Sequence, residues 1–256
     1  MWKTFLRRSI NPSNRKDRTI MESTNFEKNG TGISSADRPN VSPAVIRRLP
    51  RYFRYLRELI RQGKMRISSS ELSAMMNVTA SQIRQDLNCF GGFGQQGYGY
   101  NVNYLYAKIC ELLGVSRGLC AIIIGAGDLG RALVRSSMFE KRGVDIVAMF
   151  DVDPSLIGRE VGGVTVYDMK DLETFCENAT IDMAVLTLPK EYVVEESKRL
   201  VDCGISGLWN FTGKDLNYDP DRVVVENVHL GDSLMILDYM ICRNSEARGL
   251  APTEQK

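Results

Sequence analysis

Three glycines at positions 125, 127 and 130 sit in the stretch "IIGAGDLGRAL", directly after the apolar run "LCAIII". An acid, Asp151, ends the next apolar stretch, "VDIVAMFD", about 20 residues past the last glycine. Gly125 permits a tight turn. Gly127 lets a phosphate approach the backbone, and Gly130 lets helix and strand pack closely. Ala126, Asp128 and Leu129 complete the loop. The first N–H groups of the helix that opens near Asp128 offer an anion site with a positive dipole end. The chemistry is recognition of a pyrophosphate, with Asp151 accepting bonds from an adenosine ribose and repelling a 2′-phosphate. NAD(H) is therefore favoured over NADP(H). A domain of the same shape that binds coenzyme A, another nucleotide or nothing shares the pattern.

A second constellation lies upstream. The 256-residue chain has a formal net charge of +2, yet between Pro43 and Arg66 eight Arg and Lys residues face one acid, Glu58. That concentration points to an anionic partner. Val45, Ile46, Leu49, Phe53, Leu56 and Ile60 recur at helical spacing, with Arg47, Arg51, Arg54 and Arg61 on another face. Pro50 belongs in the first turn of the main helix, and Gly63 ends it. Ser68 and Glu71 are spaced as a capping box for a short helix through Met76. After the turn "NVT", Thr79 and Gln82 repeat the spacing and open a helix to about Asn88. Two short helices joined by a tight turn make a helix-turn-helix. On the second of them Ser81, Gln82, Arg84 and Gln85 would face the major groove, where arginine reads guanine and glutamine reads adenine. Asn88 bonds a phosphate or merely ends the helix. Gly91 to Tyr100 reads as a β-hairpin, a wing. Arginine on a solvent face often means only solubility; beside a helix-turn-helix and a wing it means nucleic acid.

These sites need elements to hold them. Leu119–Ile124 is apolar throughout, as a strand buried on both faces should be. The pattern then predicts a helix from Asp128 to about Phe139 and the strand ending at Asp151. A short strand at Val164–Val166 and a helix from Asp168 to Glu177 follow. The strand "IDMAVLTL" precedes a helix from Lys190 to Cys203, and the strands "ISGLWNF" and "RVVVEN" come last. Strand–helix alternation predicts a doubly wound parallel sheet. Asp232–Cys242 reads as an unusually apolar helix. Residues 1–40 lack any period and are expected to be disordered.

The six cysteines include no C-x-x-C pair, and the chain has one histidine, His229, so neither a zinc site nor a disulfide framework is expected. No apolar run reaches the length of a membrane span, and the expected location is cytoplasmic. His229 invites a proton-donor role, but nothing around it completes a catalytic set, and no catalytic residue is assigned. An NAD-dependent oxidoreductase with an appended helical domain is the rival reading. Cys89 could sense oxidants or be an inert thiol.

Taken together, "RRLPRYFRYLREL", "SSSELSAMMNVTASQIRQDLNCFGGFGQQGYGY", "IIGAGDLGRAL", "FDVDP" and "GLWNF" resemble the Rex family of redox-sensing transcriptional repressors, from about Ser42 to Ile241. The resemblance implies an α/β chain: a winged-helix DNA-binding domain over 41–116, a Rossmann domain over 117–228 that binds NADH and NAD⁺, and a helix over 229–243 exchanged between the subunits of a homodimer. A flexible tail over 244–256 ends it. It implies release from a palindromic double-stranded operator when NADH binds, with neither catalysis nor a metal. On the DNA side it implies Arg47, Arg48, Arg51, Tyr52 and Arg54, the recognition-helix residues above, and Phe93, Gln95, Gln96, Gly97 and Tyr98 in the wing. On the cofactor side it adds Ser136, Thr187, Pro189, Asn210, Phe211 and His229 to the glycine loop and Asp151. The chain departs from the family pattern at Gln85 and Gln96, which stand for basic residues. Ser136 and His229 stand for a tyrosine–aspartate pair and are expected to touch instead. In "NFTG", Thr212 is expected to bring a hydroxyl to the pocket.

Overall fold

The computed structural model describes residues 42–89, 94–95, 98–115 and 117–248. The N-terminal extension and the wing positions Phe93, Gln96 and Gly97 lie outside them, as do residues 249–256. The chain divides between Arg117 and Gly118 into two compact units.

In the N-terminal unit, helix α1 (Pro43–Ile46) leads into α2 (Leu49–Arg61), which carries Pro50 in its first turn. Strand β1 (Arg66–Ile67) precedes α3 (Ser69–Met76) and α4 (Ala80–Asn88). Strands β2 (Gly94–Gln95) and β3 (Gly99–Asn101) follow, and α5 (Val102–Leu113) closes the unit. The sheet runs β1-β3-β2, antiparallel throughout. Leu49, Phe53 and Leu56 of α2 pack with Leu72 and Met76 of α3, Ile83 and Leu87 of α4, and Leu105 and Ile109 of α5. These are the apolar positions that the helical period picks out. Gly99 must be glycine: its φ is +69°, and a Cβ there would lie 2.8 Å from the Ile67 carbonyl oxygen.

The C-terminal unit is a seven-stranded sheet. Its strands are β4 (Leu119–Ile124), β5 (Val144–Asp151), β6 (Glu160–Val161), β7 (Val164–Asp168), β8 (Met183–Leu186), β9 (Gly207–Asn210) and β10 (Val224–Asn227). The spatial order is β10-β9-β8-β4-β5-β7-β6, with β6 alone antiparallel. Ile122 and Ile124 of β4, Phe150 of β5 and Leu186 of β8 enter one core, with Phe175 and Leu200 of the covering helices α7 (Leu172–Asn178) and α8 (Val193–Asp202). Ile123, Met149 and Val185 enter the other, with Phe139. Burial on both faces explains the unbroken apolar runs. The chain grows from β4 toward β7, then returns to β8 on the other side of β4. The direction therefore switches between β4 and β8, which is where open α/β sheets bind ligands.

Several boundaries differ from the sequence expectation. The helix after the glycine loop, α6 (Asp128–Arg135), ends four residues before Phe139. The Ser136 hydroxyl accepts the Met138 N–H at 3.3 Å, a local bond that competes with the helix. A 3₁₀ turn occupies Met169–Asp171, so α7 starts at Leu172, and α8 starts at Val193 rather than Lys190. The last helix, α9, runs from Leu230 to Ala247, past the boundary expected at 243.

Candidate functional site

The helix-turn-helix is tied together by polar bonds. Ser68 and Glu71 make both arms of a capping box at the start of α3. Lys64 and the Ser68 bonds pull the Glu71 carboxyl down to about 2. At α4, Thr79 accepts the Gln82 N–H at 3.1 Å, but the expected return bond from the Gln82 side chain is missing. Its amide nitrogen instead donates to Asp86 Oδ1 at 2.8 Å. An ionised, buried carboxylate is a stronger acceptor than the alternative.

Asp86 is 0% exposed. Arg48, the N-cap residue just before α2, clamps it bidentately, Nε to Oδ2 and Nη2 to Oδ1, both at 2.7 Å. The Tyr52 hydroxyl donates to Oδ2 at 2.8 Å. Burial pushes the Asp86 carboxyl up, but the bonds from Arg48, Gln82 and Tyr52 outweigh it and leave it below the usual range. Burial first, then the bond to Asp86, pushes the Tyr52 phenol up. Tyr52 is itself 0% exposed, which corrects its expected place on the DNA surface. Arg48, with 24% of its side chain exposed, is likewise a structural tie. Arg51 donates to the Met76 carbonyl and so caps the end of α3. These residues join α2 to both helices of the motif. Burial is a tertiary property, invisible in a run of basic residues.

The outer surface is different. Ser81, Arg84, Gln85 and Asn88 are all exposed, one ridge of α4 at spacings of three and four. Arg84 also reaches the Ser69 hydroxyl at 3.2 Å. Gln82 flanks this ridge, half-buried. Arg47 and Arg54 are exposed on the neighbouring elements. Tyr98, at the wing, is exposed; Arg66 donates to its carbonyl at 3.2 Å and lies over its ring. The backbone of Gln95 pairs with Gly99.

In the other unit the glycines do what their spacing promises. Gly125 has φ +100°, and a Cβ there would lie 2.7 Å from the Thr187 carbonyl oxygen. At Gly130 a Cβ would lie 2.1 Å from the Gly125 oxygen. Gly127 has open space on that side. A cleft of about 740 Å³ opens here, lined by Gly125, Gly127, Asp151, Thr187 and Pro189 among the expected residues. Ala126 is buried, and its N–H goes to Asp151 Oδ2 at 2.6 Å. Asp151 Oδ1 accepts the Asp153 N–H at 2.9 Å. Asp128 is exposed at the start of α6, and Leu129 is half-buried beside it. The N-terminal turn of α6 adjoins the open side of Gly127, and the acids line the rim. These residues fit a dinucleotide.

Asp153, Leu156, Met169, Tyr192 and Glu196, which the glycine motif does not mark, also line the cleft. Asp153 was visible in "FDVDP"; Met169, Tyr192 and Glu196 come from elements whose approach no motif announces. The Asp153 carboxyl is held below its usual range by the Ser155 backbone and side chain. Three acids, Asp151, Asp153 and Glu196, would oppose the extra phosphate of NADP(H) or coenzyme A.

Other expected cofactor residues have internal partners. The Thr187 hydroxyl lies 2.8 Å from the Gly125 carbonyl and 3.1 Å from that of Ile124, so its proton is held by the loop. Asn210 is 1% exposed. Its amide donates to the Lys214 carbonyl and to Asn227, and accepts from the Thr212 N–H and hydroxyl. The Asn210 side chain is a structural hub with its bonds taken inside the protein, and Thr212 is turned toward it. Phe211 packs edge-on against Trp209 at 4.6 Å. Within the chain, His229 meets Asp215 at 2.7 Å and Ser136 bonds the Met138 N–H. All six cysteines are free. Among the described residues, no cluster fits a metal ion and no helix is long and apolar enough to cross a membrane.

Residues 40–88 match the family described as "Putative DNA-binding protein N-terminus", and residues 119–213 match the CoA binding domain. A redox-sensing transcriptional repressor Rex of Clostridioides difficile is 50% identical over 202 residues, covering 79% of this chain and 96% of its own. That of Caldicellulosiruptor saccharolyticus is 48% identical over 202 residues, covering 79% and 92%. Among solved structures, RSP in complex with β-NAD⁺ and operator DNA is 47% identical, with a TM-score of 0.76 over 85% of this chain and 100% of that one. RSP in complex with β-NADH is 45% identical, with a TM-score of 0.75 over 84% and 100%.

Proposed function

The chain belongs to the Rex family of redox-sensing transcriptional repressors, and on that premise we propose which of its residues carry each task. It is a repressor rather than an enzyme, and it binds operator DNA and NAD(H).

Ser81, Arg84 and Gln85, with Gln82 beside them, meet base edges in the major groove. Arg47, Arg54, Asn88, Gln95 and Tyr98 hold phosphates and set the register. In the cleft, the open face of Gly127 and the first N–H groups of α6 receive a pyrophosphate, and Asp151 accepts the ribose hydroxyls. The nicotinamide, when bound, supplies the oxidation state that is sensed. With NADH in the cleft the protein favours a state that does not fit the operator; NAD⁺ binds more weakly or favours the DNA-competent state. Only differential affinity can shift such an equilibrium, and about 1–3 kcal/mol of coupling is typical. The protein works in the cytoplasm.

The observation that carries this reading is the pairing, in one chain, of an exposed polar ridge on a helix-turn-helix with an open glycine-loop cleft. Fluorescence anisotropy of a labelled duplex bearing the operator, titrated with each dinucleotide, tests it. NADH is expected to release DNA at lower concentration than NAD⁺; identical curves for the two would refute redox sensing.

The active form is a homodimer on a palindromic site. Leu234, Met235, Ile236, Leu237, Tyr239, Met240 and Ile241 of α9 are each 54–67% exposed. At about 25 cal/mol per Å², burying seven such side chains contributes on the order of 10 kcal/mol before ordering costs. The occupant of that surface is the second copy, in which α9 is exchanged. Truncation after Asn227 is expected to give monomer or aggregate by light scattering, with tight palindrome binding lost; a stable truncated dimer still released by NADH would refute it.

A further inference from the structure

We propose that Asp86 is a positioning residue for base reading: it fixes the amide of Gln82, so that α4 offers the operator a pre-oriented edge that selects an adenine–thymine pair. This rests on the proposal above that α4 reads the operator.

Asp86 and Gln82 are one turn apart on α4, and the amide nitrogen donates to Oδ1 at 2.8 Å. Either end of an amide can face a neutral partner, but an ionised carboxylate only accepts. The nitrogen must therefore face Asp86, and the amide oxygen and second N–H remain for an outside partner. One acceptor beside one donor is the complement of adenine in the major groove. The carboxylate cannot turn to follow a moving amide. Oδ1 also takes Arg48 Nη2, while Oδ2 takes Arg48 Nε and the Tyr52 hydroxyl. Those four bonds fill the roughly four acceptor sites of a carboxylate. Both Asp86 and Tyr52 are 0% exposed, and the clamp is anchored at the start of α2, outside the recognition helix. The side chain that meets the base is thus ordered before the DNA arrives, which lowers the ordering cost of binding. Arg48 also neutralises Asp86, so the acid does not repel phosphates beside it.

The test uses the full-length protein without dinucleotide. A site is selected from a randomised palindromic duplex library by the unaltered protein. Anisotropy then gives its affinity with each base pair varied in turn, and the affinity for random duplex. Asp86→Asn is expected to lower the preference for adenine at one position per half-site on the order of tenfold. Adding Gln82→Ala to it should cause no further loss at that position. Tyr52→Phe removes one bond without leaving a charge unpaired. It is expected to weaken the same preference about twofold while circular dichroism shows a folded protein. It therefore carries the test if Asp86→Asn does not fold. Equal losses on selected and random DNA, with the preference profile unchanged, overturn the proposal; so does a folded Tyr52→Phe protein with an unaltered profile. Arg84→Ala and Gln85→Ala separate the two levels. If they flatten their own positions while the Asp86 and Tyr52 variants flatten none, only the role of Asp86 falls. If no α4 variant alters the profile, α4 is not the reader, and both fall.

Discussion

Arg48, Arg51 and Tyr52, at the start of α2, and Gly125, Gly127 and Gly130, after β4, solve opposite problems. The first three carry much chemistry and turn it inward, onto Asp86 and the end of α3. The glycines carry almost none, and their missing side chains make the room in which the loop closes and a ligand fits. One site is a rigid platform built from buried polar bonds, with an exposed ridge of Ser81, Arg84 and Gln85 on top. The other is a backbone cradle built from absence. Polar residues in this unit therefore divide into those that brace the helix-turn-helix from within and those left exposed on its surface.

The contrast breaks most sharply at Arg48. Arg48→Ala leaves the buried Asp86 charge without its main partner and is expected to cost the N-terminal unit about 3 kcal/mol in urea unfolding. Arg54→Ala on the exposed face should stay within about 0.5 kcal/mol. Equal costs would erase the distinction between holding and reading. The glycines should separate in a parallel way. Gly130→Ala forces a Cβ into the Gly125 carbonyl and is expected to destabilise the C-terminal unit by about 2 kcal/mol while abolishing NADH binding. Gly127→Val, with open space around it, should abolish NADH binding at an unchanged Tm. Calorimetry with NADH titration checks both, and a Gly130→Ala protein that binds NADH normally would disprove the cradle.

Acid offers a gentler probe. The folded Asp86 carboxyl lies below its unfolded value of about 3.9. The unfolded chain therefore binds a proton first as pH falls. The contribution of Asp86 is complete above about pH 4 and lost progressively below it. The N-terminal unit of the unaltered protein should lose more stability between pH 5 and pH 3 than that of Asp86→Asn. The smallest effect is Thr79→Ala, which removes the cap of the recognition helix and should cost about 1 kcal/mol by thermal melt.

Backbone-encoded features were legible in the sequence because their cause is local. The capping box at Ser68–Glu71, the turn before α4, the glycine loop and the two-faced strands all follow from a few adjacent residues. Side-chain roles were less legible. Arg48 and Arg54 look alike in "RRLPRYFRYLREL", and only the approach of α4 from 38 residues away makes one of them a clamp. Asn210 looked like a cofactor contact until Lys214, Asn227 and Thr212 took all its bonds. Ser136 lies just past the helix end, and its hydroxyl accepts the Met138 N–H, a local bond that periodicity does not register.

Beyond β7 the large sheet ends in β6, a strand of two residues. Gly162 and Gly163 turn the chain between the two with φ of +56° and +82°, and a Cβ on Gly162 would press within 3.1 Å of Val134 on α6. A long outer strand would present a row of unpaired N–H and C=O groups onto which another molecule's backbone could zip. Two residues present almost no such row. At this edge of the sheet the hairpin leaves little backbone onto which another strand could add.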